Sequence, residues 1–137
     1  MDIGLLPKLR FARAAEAVAG LDLSPEAKAL YAPNAPTAVF LKALIDAELH
    51  ADAIRLLGMA LPRREAVWWG CLSARGSLPP DAAVVVPPGD GLTGTAAAAA
   101  VLIAAAAVPK EIAARHRASL VQALDIANGG SGKVGAA

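Results

Sequence analysis

The sequence predicts an all-α chain, an antiparallel array of about six helices interrupted by one long Pro/Gly-rich connection. Three observations carry that prediction. Apolar residues recur at three- and four-residue spacing along most of the chain, and the starts and stops of these runs are marked by Ser-Pro, Pro and Gly. Only Val84-Val85-Val86 reads as a strand, and it is closed by Pro87-Pro88, which cannot donate to a ladder.

A first helix is expected over residues 7–19, ended by Gly20. Ser24 then supplies an N-cap and Pro25 the first helical position of a short helix reaching Tyr31, which Pro33 and Pro36 break. Thr37 opens a helix carrying Phe40, Leu41, Leu44 and Ile45. After a join over 48–51, another carries Ala53, Ile54, Leu57 and Leu61. Pro62 begins the next, which runs to Arg75. At 100° steps Ala66, Val67, Gly70, Cys71 and Ala74 cover one side of it, and Trp68, Trp69 and Leu72 much of the other. A helix apolar nearly all round is expected at the centre of the packing. Residues 76–93 read as an extended connection. A C-terminal helical hairpin follows over 94–128, with Pro109 between its helices and Gly129-Gly130 as the stop. The expectation is a single helical domain over 1–128, with helices in 7–75 and 94–128, and a disordered tail over 129–137.

A chain of 137 residues and 13.8 kDa fits one domain. Its hydrophobic fraction of 56% includes 35 alanines, the apolar residue that buries least area, so the composition overstates its greasiness. With 13 basic and 12 acidic residues and no block of like charge, the footprint of a nucleic-acid binder is missing. A single cysteine, Cys71, makes no internal disulfide, which fits a reducing compartment. Residues 1–8 lack the apolar stretch of a signal peptide, and Arg63-Arg64 is followed by Glu65 and two tryptophans rather than by an export signal. A cytoplasmic location is expected. The uncharged run 91–109 approaches the length of a membrane span, about 18–20 residues, but only Leu92, Val101, Leu102, Ile103 and Val108 are strongly apolar within it. A close-packed helix outside the membrane is expected instead.

Groups capable of chemistry are sparse. His116 falls within the stripe of Ile112, Leu120, Ala123, Leu124 and Ala127, where a lone histidine is most often a core residue with its nitrogens hydrogen-bonded. His50 lies between Glu48 and Asp52, a set that could form a small metal or acid/base site. At i, i+2, i+4 spacing, however, the three do not share one helix face. Cys71, on an apolar helix without an adjacent histidine, reads as an inert thiol of raised pKa. Residues 89–95 (Gly-Asp-Gly-Leu-Thr-Gly-Thr) could present backbone N–H groups to an anion, but lack the Gly-Lys-Ser/Thr end of a phosphate loop. Residues 129–133 share only the spelling of such a loop. No catalytic residue, metal ligand set or cofactor follows from these patterns.

The strongest local signal is Leu61-Pro62-Arg63-Arg64-Glu65-Ala66-Val67-Trp68-Trp69. Structurally, Pro62 sets the helix start, Glu65 suits its positive end, and the tryptophans fill space left by alanines. Functionally, Trp and Arg are the side chains most enriched in binding hot spots, which makes Arg63, Arg64, Trp68 and Trp69 candidate partner-binding residues. This stretch, with Asp52 to Leu61 before it and Cys71 to Arg75 after it, resembles a bacterial family of unknown function whose members carry the string PRREAVWW. Residues 76–80, 86–88, 92–93, 96–107 and 124–129 resemble that family's C-terminal part. Arg75 runs straight into Gly76 where members carry more helical sequence, so the chain resembles a shortened member.

The resemblance implies no catalytic residues. It implies a genomic context beside type VI secretion genes, among effector-loading adaptors and spike proteins. The leading expectation is therefore a non-enzymatic helical adaptor or accessory factor of type VI secretion, with a protein partner such as a spike or effector component. No nucleic acid and no membrane is expected. Alanine-rich helices allow close approach between subunits, which leaves a homo-oligomer open. The alternative is a small metal- or anion-binding domain or enzyme using His50 with Glu48 or Asp52.

Overall fold

The computed structural model describes residues 3–18, 21–75, 93–106 and 109–130, and at 63, 71, 73–75 and 93–97 it describes the backbone alone. Among the described residues there is no strand beyond an isolated antiparallel bridge between Arg13 and Pro36. The helices are α1 (Ala14–Val18), α2 (Pro25–Leu30), α3 (Thr37–Asp46), α4 (His50–Ala60), α5 (Arg63–Arg75), α6 (Thr93–Ala106) and α7 (Ile112–Ala127), the last preceded by a 3-10 turn at Pro109–Glu111. The fold is all-α, as its periodicity predicts. The Gly20 stop, the connection over 76–92 with its Val84-Val85-Val86 run, and the tail beyond Gly130 lie outside the described residues.

The centre belongs to α4 rather than to α5. Asp52, Ala53, Ile54, Leu56, Leu57, Gly58 and Ala60 are all buried, and α4 packs against α1, α3, α5, α6 and α7. Its small residues at 53, 58 and 60 let neighbours approach on several sides, and its buried charge, Asp52, is engaged internally. Helix α5 instead keeps one edge in solvent, because Arg64 and Trp68 remain exposed. Helix α6, with Ala98, Val101, Ala104 and Ala105 buried, packs on α4, α5 and α7. No described helix is long and apolar enough to cross a membrane.

The largest departure from expectation is at the N-terminus, where the helix predicted over 7–19 begins only at Ala14. Residues 3–13 form an extended strap whose backbone donors are engaged elsewhere. The N–H of Leu6 donates to Asn128 Oδ1 (2.9 Å), that of Lys8 to the Ala127 carbonyl (3.0 Å), and that of Arg10 to the Ala60 carbonyl (2.7 Å). The Arg10 guanidinium donates to the Met59 carbonyl (3.0 Å) and stacks on Phe11, 4.7 Å from the ring centroid. Ala127 and Ala60 are the last residues of α7 and α4, so the strap satisfies carbonyls that a helix end leaves without intrahelical partners. A helix over 7–13 would turn the Arg10 N–H to its own first turn. Left-handed backbone at Gly4 (φ +73) and Leu6 (φ +52) sets the path. A Cβ at Gly4 would lie 2.7 Å from the Asn128 amide nitrogen, so only glycine fits. Further along, the Thr37 hydroxyl donates to the Phe11 carbonyl (2.7 Å), and the Thr37 N–H to that of Ala12 (2.8 Å).

Other boundaries follow local chemistry. Ser24 Oγ accepts from the Ala27 N–H (3.2 Å), capping α2 as Ser-Pro predicts. The join between α3 and α4 takes Ala47 to Leu49, with Glu48 in the left-handed region (φ +60), so His50 already stands on α4. At the end of α7 the Gly130 N–H donates to the Asp125 carbonyl (2.8 Å) and the Gly129 N–H to that of Ile126 (3.0 Å). This is a Schellman cap with Gly129 at φ +99, and it accounts for the stop.

Asn128 joins the two ends of the chain, since its Nδ2 also donates to the carbonyls of Ile3 (3.0 Å) and Leu124 (2.9 Å). Asn128→Ala removes these bonds and is expected to cost about 1–3 kcal/mol by urea denaturation, with faster hydrogen exchange at the Leu6 and Lys8 amides. Unchanged exchange there would mean that the strap is held by its apolar contacts alone.

Candidate functional site

The predicted partner-binding cluster divides into two halves. Trp69 is completely buried, and its Nε1–H donates to the Ser119 carbonyl of α7 (2.9 Å). It packs with Ala66, Leu120 and Ala123 in the main core. Trp69 is therefore structural and leaves the candidate surface. Trp68, one 100° step round the helix, is 39% exposed. With Arg64, Glu65, Val67, Ile126 and Gly130 it lines a groove of about 420 Å³ between the start of α5 and the end of α7. Arg63 stands on the first turn of α5, and its side chain lies outside the described residues.

The electrostatics of this groove are uneven. Glu65 Oε1 lies 3.9 Å from Lys8 Nζ, so its charge is partly offset by the strap. Arg64 is exposed and makes no ion pair among the described residues. Asp125, near Gly130, is engaged in contacts of its own. A half-exposed indole thus lies one helical turn from an uncommitted guanidinium, about 5–6 Å between Cβ atoms.

The second candidate, His50 with Glu48 and Asp52, is not assembled as its spacing suggested. Asp52 is buried and accepts from the Ser24 N–H (3.0 Å) and the Ser24 hydroxyl (2.6 Å), while Arg55 NH1 lies 3.4 Å away. It ties the cap of α2 to α4. The partner that packing brings to His50 is His116: both line a depression of about 380 Å³ with Ser24, Glu26, Glu48 and Asp52. No spacing rule could have paired residues on α4 and α7. Burial first, and then the nearby charges of His50 and Arg55, lower the His116 imidazole below its ordinary value of 6.5. His116 lies on the stripe where its sequence position puts it, but its ring makes no hydrogen bond among the described residues. No group of three or more His, Cys, Asp or Glu side chains placed to hold a metal occurs among the described residues. The Cys71 side chain and residues 89–92 of the anion-loop reading lie outside them.

A further cavity of about 380 Å³ lies between α6 and the chain before α2, lined by Leu21, Asp22, Arg55, Leu102 and Ile103. Sequence reasoning missed it because its walls come from separate elements, two of them from a helix that carries no charge.

The division between the tryptophans predicts unequal costs. Trp69→Ala is expected to lose about 3–5 kcal/mol in urea denaturation, and Trp68→Ala, whose indole is only partly buried, about 1–2 kcal/mol. Equal costs would place both indoles in the core. A second expectation follows from His116, whose lowered pKa means that the unfolded chain binds its proton more tightly. Its contribution to stability is complete above about pH 6.5 and declines as pH falls from there through the lower folded value. His116→Gln should flatten the dependence of the denaturation midpoint on pH between about 7.5 and 5; an unchanged slope would assign the dependence to other groups.

Two overlapping stretches, residues 40–84 and 73–127, match a family of unknown function (DUF6931). They take in α4 to α7, most of α3, the Trp68 groove and both histidines. No curated protein and no solved structure matches the chain. With well over half of its length matched, the chain belongs to the DUF6931 family of unknown function.

Proposed function

We propose that this protein is a non-enzymatic helical adaptor that holds a protein partner at the Arg64–Trp68 edge of α5. One observation carries the reading: a large indole stays 39% exposed beside a groove although its sequence neighbour Trp69 is completely buried. Trp and Arg are both among the residue types enriched where a few side chains dominate binding energy. The engagement of Asp52 with Ser24 and Arg55 supports a non-enzymatic role, because it commits that acid to packing rather than to His50. The resemblance described from the PRREAVWW stretch points to a spike or effector component of type VI secretion as the partner, met in the cytoplasm.

The test is affinity capture of the tagged full chain from its native cell, with mass-spectrometric identification, alongside Arg64→Ala and Trp68→Ala. Recovery of secretion spike or effector proteins by the wild type, reduced about tenfold or more in both variants while their helical content is unchanged, is the expected result. Equal recovery by all three proteins, or none above background, would remove the adaptor reading. Attention would then pass to the His50–His116 depression, where metal and anion screening is the next measurement.

A further inference from the structure

We infer that the Arg64–Trp68 groove takes a short acidic segment bearing a large apolar side chain, recognised by a carboxylate at Arg64 and an apolar group against Trp68. This rests on the interaction reading above and specifies the chemistry of the partner. Charge sets the first half of the recognition. The first turn of α5 holds Arg63, Arg64 and Glu65, and Lys8 approaches Glu65 to 3.9 Å. Lys8 thus offsets the one acid of this turn, and Arg64 keeps its charge. Arg64 has no ion pair among the described residues. The positive end of the α5 dipole adds to the same sign. A planar guanidinium with free donors suits a carboxylate, which it can grip with two parallel hydrogen bonds.

The groove itself sets the other half. Val67 and the buried Ile126 supply apolar wall beside Trp68. At about 420 Å³ the space is at the lower end of the roughly 300–1,000 Å³ typical of ligand clefts, so it holds one or two side chains rather than a whole helix. Arg64 and Trp68 are four residues apart on α5, about 5–6 Å between Cβ atoms. That spacing fits a carboxylate and an apolar side chain two residues apart on an extended segment, which rises about 3.3 Å per residue. A polyanion such as nucleic acid fits poorly, because the chain has a net charge of only +1 and no basic block from which to build a longer track.

The experiment uses the full chain and a capped octapeptide of two Glu-Ser-Leu-Ser repeats, which puts each glutamate two residues from a leucine on one face. Two controls replace each glutamate with lysine, or each leucine with serine. Titration calorimetry gives the affinities, and tryptophan emission reports Trp68, since Trp69 is already buried. The glutamate–leucine peptide is expected to bind saturably with a blue shift, about tenfold or more tighter than either control, and to weaken as salt is raised. Arg64→Glu should reverse the preference toward the lysine–leucine peptide, which a merely structural role for Arg64 would not do. Absence of saturable binding, equal binding of the three peptides, or an unreversed preference in Arg64→Glu overturns the inference. If the peptides fail while Trp68→Ala still loses a cellular partner, the adaptor reading stands and the acidic specificity falls; failure of both removes the surface altogether.

Discussion

The fold depends on the capping of helix ends by an extended strap. Helices α4 and α7 end close to the same segment, residues 3–13, whose N–H groups at Leu6, Lys8 and Arg10 point alternately to Asn128, Ala127 and Ala60. Each helix leaves its last carbonyls without intrahelical partners, and burying them unsatisfied would cost free energy comparable to lost hydrogen bonds. One irregular segment answers both ends at once, which fixes their distance from each other. It also brings Lys8 to Glu65, and the electrostatics of the Trp68 groove follow from that approach. The positive charge around Arg64 is thus partly a consequence of how α4 and α7 are closed.

Alanine shapes the rest of the packing. Helix α6 presents small side chains to α4 and α5, so the backbones can come close, and dispersion contacts between near neighbours replace the large apolar areas of a leucine-rich core. Where alanine leaves space, a few bulky residues fill it. Phe40 packs near Tyr31, with ring centroids 5.6 Å apart, and Trp69 fills the volume facing Leu120 and Ala123. Polar groups inside this core are satisfied: no buried side-chain nitrogen or oxygen lacks a hydrogen-bond partner among the described residues. Asp52 shows how, since its two oxygens meet Ser24 twice and Arg55 once, tying the cap of a six-residue helix to the central one.

Features governed by local chemistry were legible in the sequence. Ser24-Pro25 opens α2 and Gly129 ends α7, because capping and left-handed stops involve residues close in sequence. Features governed by distant partners were not. Residues 7–13 were expected to be helical, yet they are a strap in which the Lys8 and Arg10 N–H groups meet acceptors more than forty residues away, Ala127 and Ala60. The central place of α4 was hidden because the burial of Asp52 follows from bonds to Ser24 and Arg55 that only the packing reveals. For the site, Arg64 and Trp68 were marked by residue type, whereas the meeting of His50 with His116 had no sequence signal at all.

The two tryptophans show why residue type alone could not divide that site. They are adjacent in sequence and equally apolar, yet an α-helix turns 100° between them, so the core can accept only one. The Nε1–H decides which geometry is stable: Trp69 reaches the Ser119 carbonyl, so its full burial leaves no donor unsatisfied. Trp68 is left at the boundary with Val67 and Ile126 beneath the groove and Arg64 at its rim. Because the indole at 69 secures α5 against α7, the indole at 68 can face outward without being needed to hold those helices together. Stability and recognition then rest on neighbouring positions of one helix, and a change at the exposed one can alter what the groove accepts while the core beneath it is kept.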